Sequence, residues 1–162
     1  LAKAPDVIAY VEHGVCDLGV VGKDTILEQG SPFYEVMDLG FGRCRFALAV
    51  REGSDFYGTY QTRRIATKYP NVARRFFAEK GMDVEIIKIE GSVELAPILG
   101  LADAIVDIVE TGATLRENGL VPIEDVAQLS ARLVVNTAAM KLKRDEVLDF
   151  ILKCQQGLEA RR

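Results

Sequence analysis

The stretch that decides the fold runs from Asp103 to Leu115 and reads Asp-Ala-Ile-Val-Asp-Ile-Val-Glu-Thr-Gly-Ala-Thr-Leu. Its first half is an apolar run broken only by Asp107, a pattern typical of a strand that is covered on both faces. Its second half turns through Thr-Gly-Ala-Thr into a short helix that Gly119 ends. A buried strand, a glycine-containing loop and a helix in this order predict an α/β protein with mainly parallel sheets, whose ligands bind at the carboxyl ends of the strands.

The same alternation of apolar runs and helical spacings continues on both sides of this stretch. The length fits one domain or two small ones, and because the chain has no long linker, any division into two lobes must run through short crossing strands near residues 43–46 and 133–135. Lobe I is predicted to comprise residues 1–43 plus 135–162, and lobe II residues 44–134. Strands are expected at 18–21, 44–51, 64–67, 84–89, 104–109, 120–126 and 132–136, and helices at 6–13, 71–80, 95–101, 111–117 and 144–158, with one more opening at residues 23–25.

Composition narrows the class of protein. The chain has 162 residues, 49% of them hydrophobic, which is enough to bury a core, and two small lobes would gain from oligomer formation. The net charge of -4 argues against a general nucleic-acid binder. Three separated cysteines and one histidine make a zinc site or a disulfide framework improbable. No apolar run is long enough to cross a bilayer and no signal peptide is visible, so we expect a cytoplasmic protein with no membrane partner.

The loop after the buried strand has the chemistry of a phosphate site. Gly112 lets the backbone approach an anion closely, Thr111 and Thr114 can donate hydroxyl hydrogens, and the helix N-terminus supplies free N–H groups. Asp107 and Glu110 would repel a bare phosphate but could hold ribose hydroxyls or orient the water shell of Mg²⁺. A structural interpretation stays open, in which Thr111 is only the N-cap of the helix.

Four ordered segments carry a family resemblance that covers essentially the whole chain. They are Tyr10 to Asp24, Arg64 to Val72, Gly91 to Pro97 and Glu94 to Leu115. The last of them resembles the signature of the ATP phosphoribosyltransferases, with its Glu, Gly, Asp, Thr-Gly and Thr-Leu at the spacing of that family.

The resemblance implies a fold and a reaction. The fold would be two α/β lobes like those of type II periplasmic binding proteins, with the active site in the cleft between the lobes. The reaction would join N1 of ATP to C1′ of phosphoribosyl pyrophosphate (PRPP) with release of pyrophosphate, as the first step of histidine biosynthesis. Mg²⁺ would be bound through the substrate and not directly by the protein.

The resemblance also assigns residues. Asp107 and Glu110 would be catalytic, and the PRPP site would comprise Asp107, Glu110, Thr111, Gly112, Ala113 and Thr114. ATP would be met by Asp24, Thr25 and Tyr69. Two alternatives stay open: Asp24 as the N-cap of the following helix, and Tyr69 as a core residue before Pro70.

Several basic residues are weaker candidates. His13 lies at a helix end and is interpreted as a partner of the helix dipole. Arg63, Arg64 and Lys68 could meet the triphosphate or form a solvated face. Lys3 falls where relatives carry a basic residue near the nucleotide.

Two departures from the family pattern bear on partners. The chain opens at Leu1 without the initial strand and basic loop of the family, so an upstream segment is expected to be missing. It ends after the helix at 144–158, which resembles the short form. That form implies a homo-oligomer, a dimer or larger, that works with a regulatory subunit similar to histidyl-tRNA synthetase.

Two rival functions remain. A phosphoribosyltransferase of the Rossmann-like type would act on a nucleobase, but the chain lacks the paired-acidic loop that such an enzyme needs. A solute-binding module would have the same two-lobed shape and no chemistry.

Overall fold

The structure, a computed structural model, describes residues 2–30, 32–58 and 61–160. Strands and helices alternate along these ranges, which confirms the α/β class. The strands are β1 (Leu18–Gly22), β2 (Tyr34–Asp38), β3 (Cys44–Arg51), β4 (Arg63–Thr67), β5 (Val84–Lys88), β6 (Ala104–Val109), β7 (Leu120–Leu129) and β8 (Ala131–Val135). The helices are α1 (Ala4–Glu12), α2 (Lys23–Gln29), α3 (Pro70–Glu79), α4 (Leu95–Ile98), α5 (Ala113–Glu117), α6 (Thr137–Leu142) and α7 (Arg144–Glu159).

The chain forms two compact units, one of residues 1–43 and 129–162 and one of residues 44–128. The sequence-based division placed residues 129–134 in lobe II, and this part of it is wrong. These residues include most of β8, which pairs with β1 and with β2 and so completes the sheet of the first unit. A strand belongs to the unit with whose strands it forms backbone hydrogen bonds. Such pairing between distant segments has no local signal in the sequence.

The first unit has a three-stranded sheet in the order β1-β8-β2, with β8 antiparallel to both neighbours. Its core contains Ile8 and Val11 of α1, Val21 of β1, Ile26 of α2 and Val134 of β8. Asn136 caps α6, because its Oδ1 accepts hydrogen bonds from the N–H groups of Ala138 at 2.8 Å and Ala139 at 2.9 Å.

The second unit has a five-stranded sheet in the order β5-β4-β6-β3-β7. β4 runs parallel to β5 and β6, whereas β3 runs antiparallel to β6. The expected parallel pairing is therefore found among β5, β4 and β6. It is not found between β3 and β6, nor in the sheet of the first unit, where the strands pair antiparallel. β6 is the third strand of five, and its Ala104, Ile105 and Val106 are at most 1% exposed. This burial on both faces explains its continuous apolar sequence.

Two elements were not predicted from the sequence. β2 was missed because its five residues are exposed or half-buried, so the strand carries no strong apolar pattern. α6 was missed because it has only six residues and one buried side chain, Ala139.

Candidate active site

A pocket of about 380 Å³ opens at the carboxyl end of β6, in the second unit. Most of its lining is continuous in sequence, since residues 107–115 all contribute to it. The pocket thus brings together the six residues that the sequence pattern assigned to PRPP. It also includes Glu94, which belongs to the resemblance motif but was not assigned to the site from the sequence.

Gly112 gives the loop its shape. Its φ of 75° and ψ of 10° lie in the left-handed region, and it is the N-cap residue of α5. A Cβ at this position would lie 3.2 Å from Nη1 of Arg116 and 3.7 Å from Cγ1 of Val109. Any other residue would be strained here, because left-handed backbone favours glycine. The N-cap of α5 is therefore Gly112, one residue after the Thr111 of the structural interpretation.

Hydrogen bonds that involve side chains hold the loop against α5. The hydroxyl oxygen of Thr111 accepts a hydrogen bond from the Ala113 N–H at 3.3 Å. The guanidinium of Arg116 donates to the Thr111 carbonyl at 3.2 Å, and Asn118 donates to the Thr114 carbonyl at 2.9 Å. Arg116 therefore holds a positive charge beside the loop. This residue was not predicted from the sequence, although its place one helical turn after Gly112 is a usable signal.

Asp107 points toward the pocket from the interior of the sheet. Burial is the main reason that the pKa of its carboxyl lies above the ordinary value of 3.8, and the nearby charge of Glu94 raises the pKa further. The Ile108 N–H, which donates to Oδ1 of Asp107 at 2.8 Å, and the charge of Lys68 both lower this pKa. Burial has the larger effect, so the net shift of the Asp107 pKa is upward.

Glu110 and the two threonines differ from Asp107 in exposure. Glu110, Thr111, Ala113 and Thr114 are all exposed at the mouth of the pocket, whereas Asp107 is half-buried at its base. The bottom of the pocket is therefore acidic, whereas its open rim presents hydroxyl and N–H groups.

Tyr69 lies in the same unit, at the start of α3. Its ring contacts the buried Phe46 ring edge to face at 4.7 Å, which supports the packing interpretation. Its N–H donates to Oγ1 of Thr67 at 2.9 Å. Tyr69 is half-buried and does not line the pocket after β6.

Asp24 and Thr25 belong to the first unit, in the first turn of α2. The N-cap of this helix is Gly22, so the alternative in which Asp24 is the N-cap is wrong. The carboxylate of Asp24 lies so close to Gly22 that a Cβ on residue 22 would collide with it. Thr25 is buried, and its hydroxyl donates a part-buried hydrogen bond to Oδ2 of Asp24 at 3.4 Å.

The basic candidates separate into two groups. Lys68 at the end of β4 acts electrostatically on Asp107, whereas Arg63 and Arg64 lie at the other end of that strand. His13 is the C-cap residue of α1, which agrees with its expected position at a helix end, and Lys3 is the N-cap residue of the same helix.

The described residues contain no group of three or more His, Cys, Asp or Glu side chains that could hold a metal ion. The carboxylates at the pocket, those of Glu94, Asp107 and Glu110, therefore do not form a closed cage. Within the same described ranges, no helix is long and apolar enough to cross a membrane.

Comparison with known proteins shows the family of the chain. The sequence model of the family described as HisG: ATP phosphoribosyltransferase matches residues 3–156. The ATP phosphoribosyltransferase of Clostridium kluyveri is 66% identical over 155 residues, covering 96% of this chain and 71% of that protein. The enzyme of the same name from Clostridium acetobutylicum is 60% identical over 159 residues, covering 98% and 74%.

Solved structures show the same relationship. The Thermotoga maritima structure described as an ATP phosphoribosyl transferase (HisG:HisZ) complex superposes with a TM-score of 0.87 at 39% identity, covering 99% of this chain and 79% of that chain. The periplasmic aliphatic sulphonate binding protein SsuA of Escherichia coli shares the fold alone, with a TM-score of 0.62 at 16% identity, covering 99% and 57%. A family match over nearly the whole sequence, with close relatives and a shared fold, means that the chain belongs to the HisG family of ATP phosphoribosyltransferases.

Proposed function

We propose that the pocket after β6 is the PRPP site through which this chain performs the reaction of its family, the transfer of phosphoribosyl to ATP that begins histidine biosynthesis. One observation carries the proposal. The loop at residues 110–114 passes through a left-handed glycine at the end of a buried strand, with an acidic side chain at the base of the same pocket. This arrangement suits a ligand that has a phosphate at one end and hydroxyl groups at the other.

The loop would hold the 5′-phosphate of PRPP. Its exposed Thr111 and Thr114 hydroxyls can donate to phosphate oxygens, and so can the Ala113 N–H, whose 3.3 Å bond to Thr111 is long and easily exchanged. Arg116 adds a positive charge at the back of the loop through its bond to the Thr111 carbonyl.

The acidic residues would hold the ribose. Asp107 and Glu110 can accept hydrogen bonds from ribose hydroxyls, and these bonds would favour the ionised form of Asp107 that burial disfavours. A carboxylate fixed near the ring would also stabilise the positive charge that develops on the sugar as the leaving group departs. We therefore propose Asp107 and Glu110 as the catalytic residues.

The chemistry requires no covalent bond to the protein. The lone pair on N1 of adenine forms a bond to C1′ of the ribose, the bond from C1′ to oxygen breaks with inversion, and its electron pair leaves with pyrophosphate. The protein would contribute mainly by holding two polyanions in line.

We propose Mg²⁺ as the metal ion, bound through the substrate. When bound, it would neutralise charge on the departing pyrophosphate. Asp107 and Glu110 are the residues whose carboxylates would accept hydrogen bonds from its water shell.

ATP is proposed to meet Asp24 and Thr25 of the first unit and Tyr69 of the second. The hydrogen bond from the Thr25 hydroxyl to the carboxylate of Asp24 gives the start of α2 a defined polar surface. Tyr69 would offer a ring held against Phe46, and a fixed ring can stack on adenine with little loss of conformational entropy.

One solved relative supports the proposed assembly. The Thermotoga maritima protein is described as a HisG:HisZ complex, and we propose that this chain likewise works as a short-form subunit with a HisZ-like partner related to histidyl-tRNA synthetase. We further propose a homo-oligomer, a dimer or larger, in the cytoplasm, with neither nucleic acid nor a membrane as a partner.

The function is tested by incubating the protein with PRPP and Mg²⁺ and measuring pyrophosphate release with ATP, with a free nucleobase, or with no acceptor. The proposal expects release that depends on ATP, and a product that carries ribose on N1 of adenine. Release with a free nucleobase instead would favour the Rossmann-like type of enzyme. Tight PRPP binding without turnover, in the presence of the partner subunit, would favour a binding module.

A further inference from the structure

A second pocket of about 210 Å³ opens in the same unit, at the opposite end of the five-stranded sheet. It lies where β4 and β6 begin and where β3 ends. From Ala104 to Val109, β6 spans about 17 Å at roughly 3.3 Å per residue, so the two pockets are well separated along this strand. Three arginines line the second pocket, namely Arg51, Arg63 and Arg64.

The sheet register places two of these arginines on either side of one carboxylate. Ala104 of β6 pairs with Ile65 of β4 and with Val50 of β3, so the residues next to these pairs, Arg64, Asp103 and Arg51, form a row across three strands. Asp103 is already engaged with Arg64. Its Oδ2 accepts the Arg64 N–H at 2.8 Å and lies 3.6 Å from Nε of the same residue.

Arg63 is held in place without being neutralised. Its Nε donates to the Phe56 carbonyl at 2.9 Å and its Nη2 donates to the Asp55 carbonyl at 2.8 Å. Its guanidinium also stands over the Phe56 ring, 5.4 Å from the centroid. The Asp55 carboxylate, which also lines the pocket, accepts the N–H of Gly58 at 2.9 Å.

The pocket therefore carries a surplus of positive charge. Three guanidinium groups face two carboxylates, and in residues 2–30, 32–58 and 61–160 neither Arg51 nor Arg63 has an ion pair with a carboxylate. Arg63 is fixed by carbonyl groups, so its charge is available in a defined position. A preformed group of guanidinium donors with unbalanced charge favours an anion with several oxygens.

We propose that this pocket binds a small phosphate anion, either inorganic phosphate or pyrophosphate. Its volume of about 210 Å³ suits such an ion and is below the usual size of a pocket for a larger ligand. Pyrophosphate is a product of the reaction of this family. The pocket would therefore be a second binding site for this product, remote from the reacting atoms. The bound anion would contact the guanidinium groups of Arg51 and Arg64. It would also contact the guanidinium of Arg63, which is already held in position.

The test is an NMR titration of the ¹⁵N-labelled full chain with phosphate and, separately, with pyrophosphate, against sodium chloride at the same ionic strength. Saturable shifts are expected for the amides of Arg64, Gly100 and Asp103, and they should persist in Gly112→Val, in which the loop after β6 is disrupted. Arg51→Gln should weaken binding at this pocket by about tenfold, because it removes a charged donor. The Arg51 side chain is exposed and no hydrogen bond of it is seen within the described ranges, so this variant should keep the melting temperature of the parent.

The matched control is Arg74→Gln on α3, an exposed arginine whose Nη1 donates to Asn71 and which does not line the pocket. It should bind phosphate at this pocket like the parent. Shifts that rise linearly without saturation, shifts that chloride reproduces, or equal affinity in Arg51→Gln and the parent would overturn the proposal. Tighter binding of malonate than of either phosphate would overturn the assignment to phosphate.

Discussion

The hydroxyl of Thr67 donates a hydrogen bond to the carbonyl of Val106 at 2.6 Å, in the interior of the second unit. The same oxygen accepts the N–H of Tyr69 at 2.9 Å. Thr67 is fully buried, and Val106 immediately precedes Asp107. One side chain thus joins the end of β4, the start of α3 and the strand that carries the acidic residue of the proposed PRPP site.

Replacing Thr67 with Val should destabilise the protein by about 1–2 kcal/mol, because the isosteric side chain leaves the N–H of Tyr69 without its buried acceptor. The measurement is urea denaturation followed by circular dichroism. Thr67→Ser keeps the hydroxyl and loses only a methyl group, and it serves as the control. A Thr67→Val variant as stable as the parent would mean that water replaces the hydroxyl, and that the bridge contributes little.

Replacing Gly112 with Val should abolish PRPP binding as measured by calorimetry. The added side chain meets Arg116 and Val109 and also forces left-handed backbone on a β-branched residue, at a cost of about 1–3 kcal/mol. Gly119→Val is the matched control, because Gly119 has a similar φ of 67° but no atom within 4 Å of the position that a Cβ would take, and it has no place in the pocket. If both variants bind PRPP equally well, the loop is only a structural turn.

Replacing Asp107 with Asn should lower kcat by about a hundredfold while ATP affinity changes little, because a charge close to the reacting sugar is lost. The same variant should be at least as stable as the parent at pH 7. The folded pKa of Asp107 is raised, so the stability that its protonated form contributes is fully present below pH 3.8 and is lost as the pH rises through the folded pKa.

The difference in unfolding free energy between the Asn variant and the parent should therefore shrink as the pH falls toward 4. Asp83→Asn, at an exposed position, is the matched control for the loss of a carboxylate. An Asn variant with unchanged kcat would remove Asp107 from the catalytic residues.

Replacing Asn136 with Ala should destabilise the first unit by about 2 kcal/mol or more, since a buried cap is lost. Asn136 caps α6 and also donates from Nδ2 to the Val11 carbonyl at 2.6 Å, so it joins two helices. Thermal unfolding measures the effect. Asn118→Ala removes a less buried amide bond to Thr114 and should cost clearly less. Equal losses would assign no special role to the cap.

The chain, carrying whatever sequence its gene encodes around it, should gain activity by about tenfold or more when a HisZ-like subunit is added. Histidine should inhibit the complex and not the isolated subunit, because the partner would supply the histidine pocket. Steady-state assays over a histidine titration, with and without the partner, measure both effects. Full activity and full histidine sensitivity in the isolated subunit would contradict the short-form proposal and leave the catalytic assignment intact.

The sequence predicted the elements around the candidate site because the relevant signals are local. The apolar run of β6, the glycine at 112 and the helix that follows are contiguous, and a strand or helix period can be read from a few residues. For the same reason, most of the residues that line the pocket at 107–114 can be identified from the sequence alone.

Residues brought in from other segments were predicted less well. Glu94 and Lys68 act on Asp107, and Thr67 fastens β6 to β4, but none of them was assigned these contacts from the sequence. The order of the strands in the sheet decides which residues lie next to Glu94, Lys68 and Thr67. The order β4-β6-β3 depends on pairing between strands that are distant in the sequence. A single sequence carries no local record of that choice.

The sequence by itself therefore determined the α/β class, the strand and loop that form the proposed phosphate site, and the family resemblance. Only the tertiary structure decided that β8 completes the sheet of the first unit and that Arg51 and Arg64 flank Asp103 at the second pocket. The physical reason is the range of the interactions. Helix, turn and strand preferences act within a few residues, whereas hydrogen bonding between strands and the balance of buried charge depend on residues far apart in the chain.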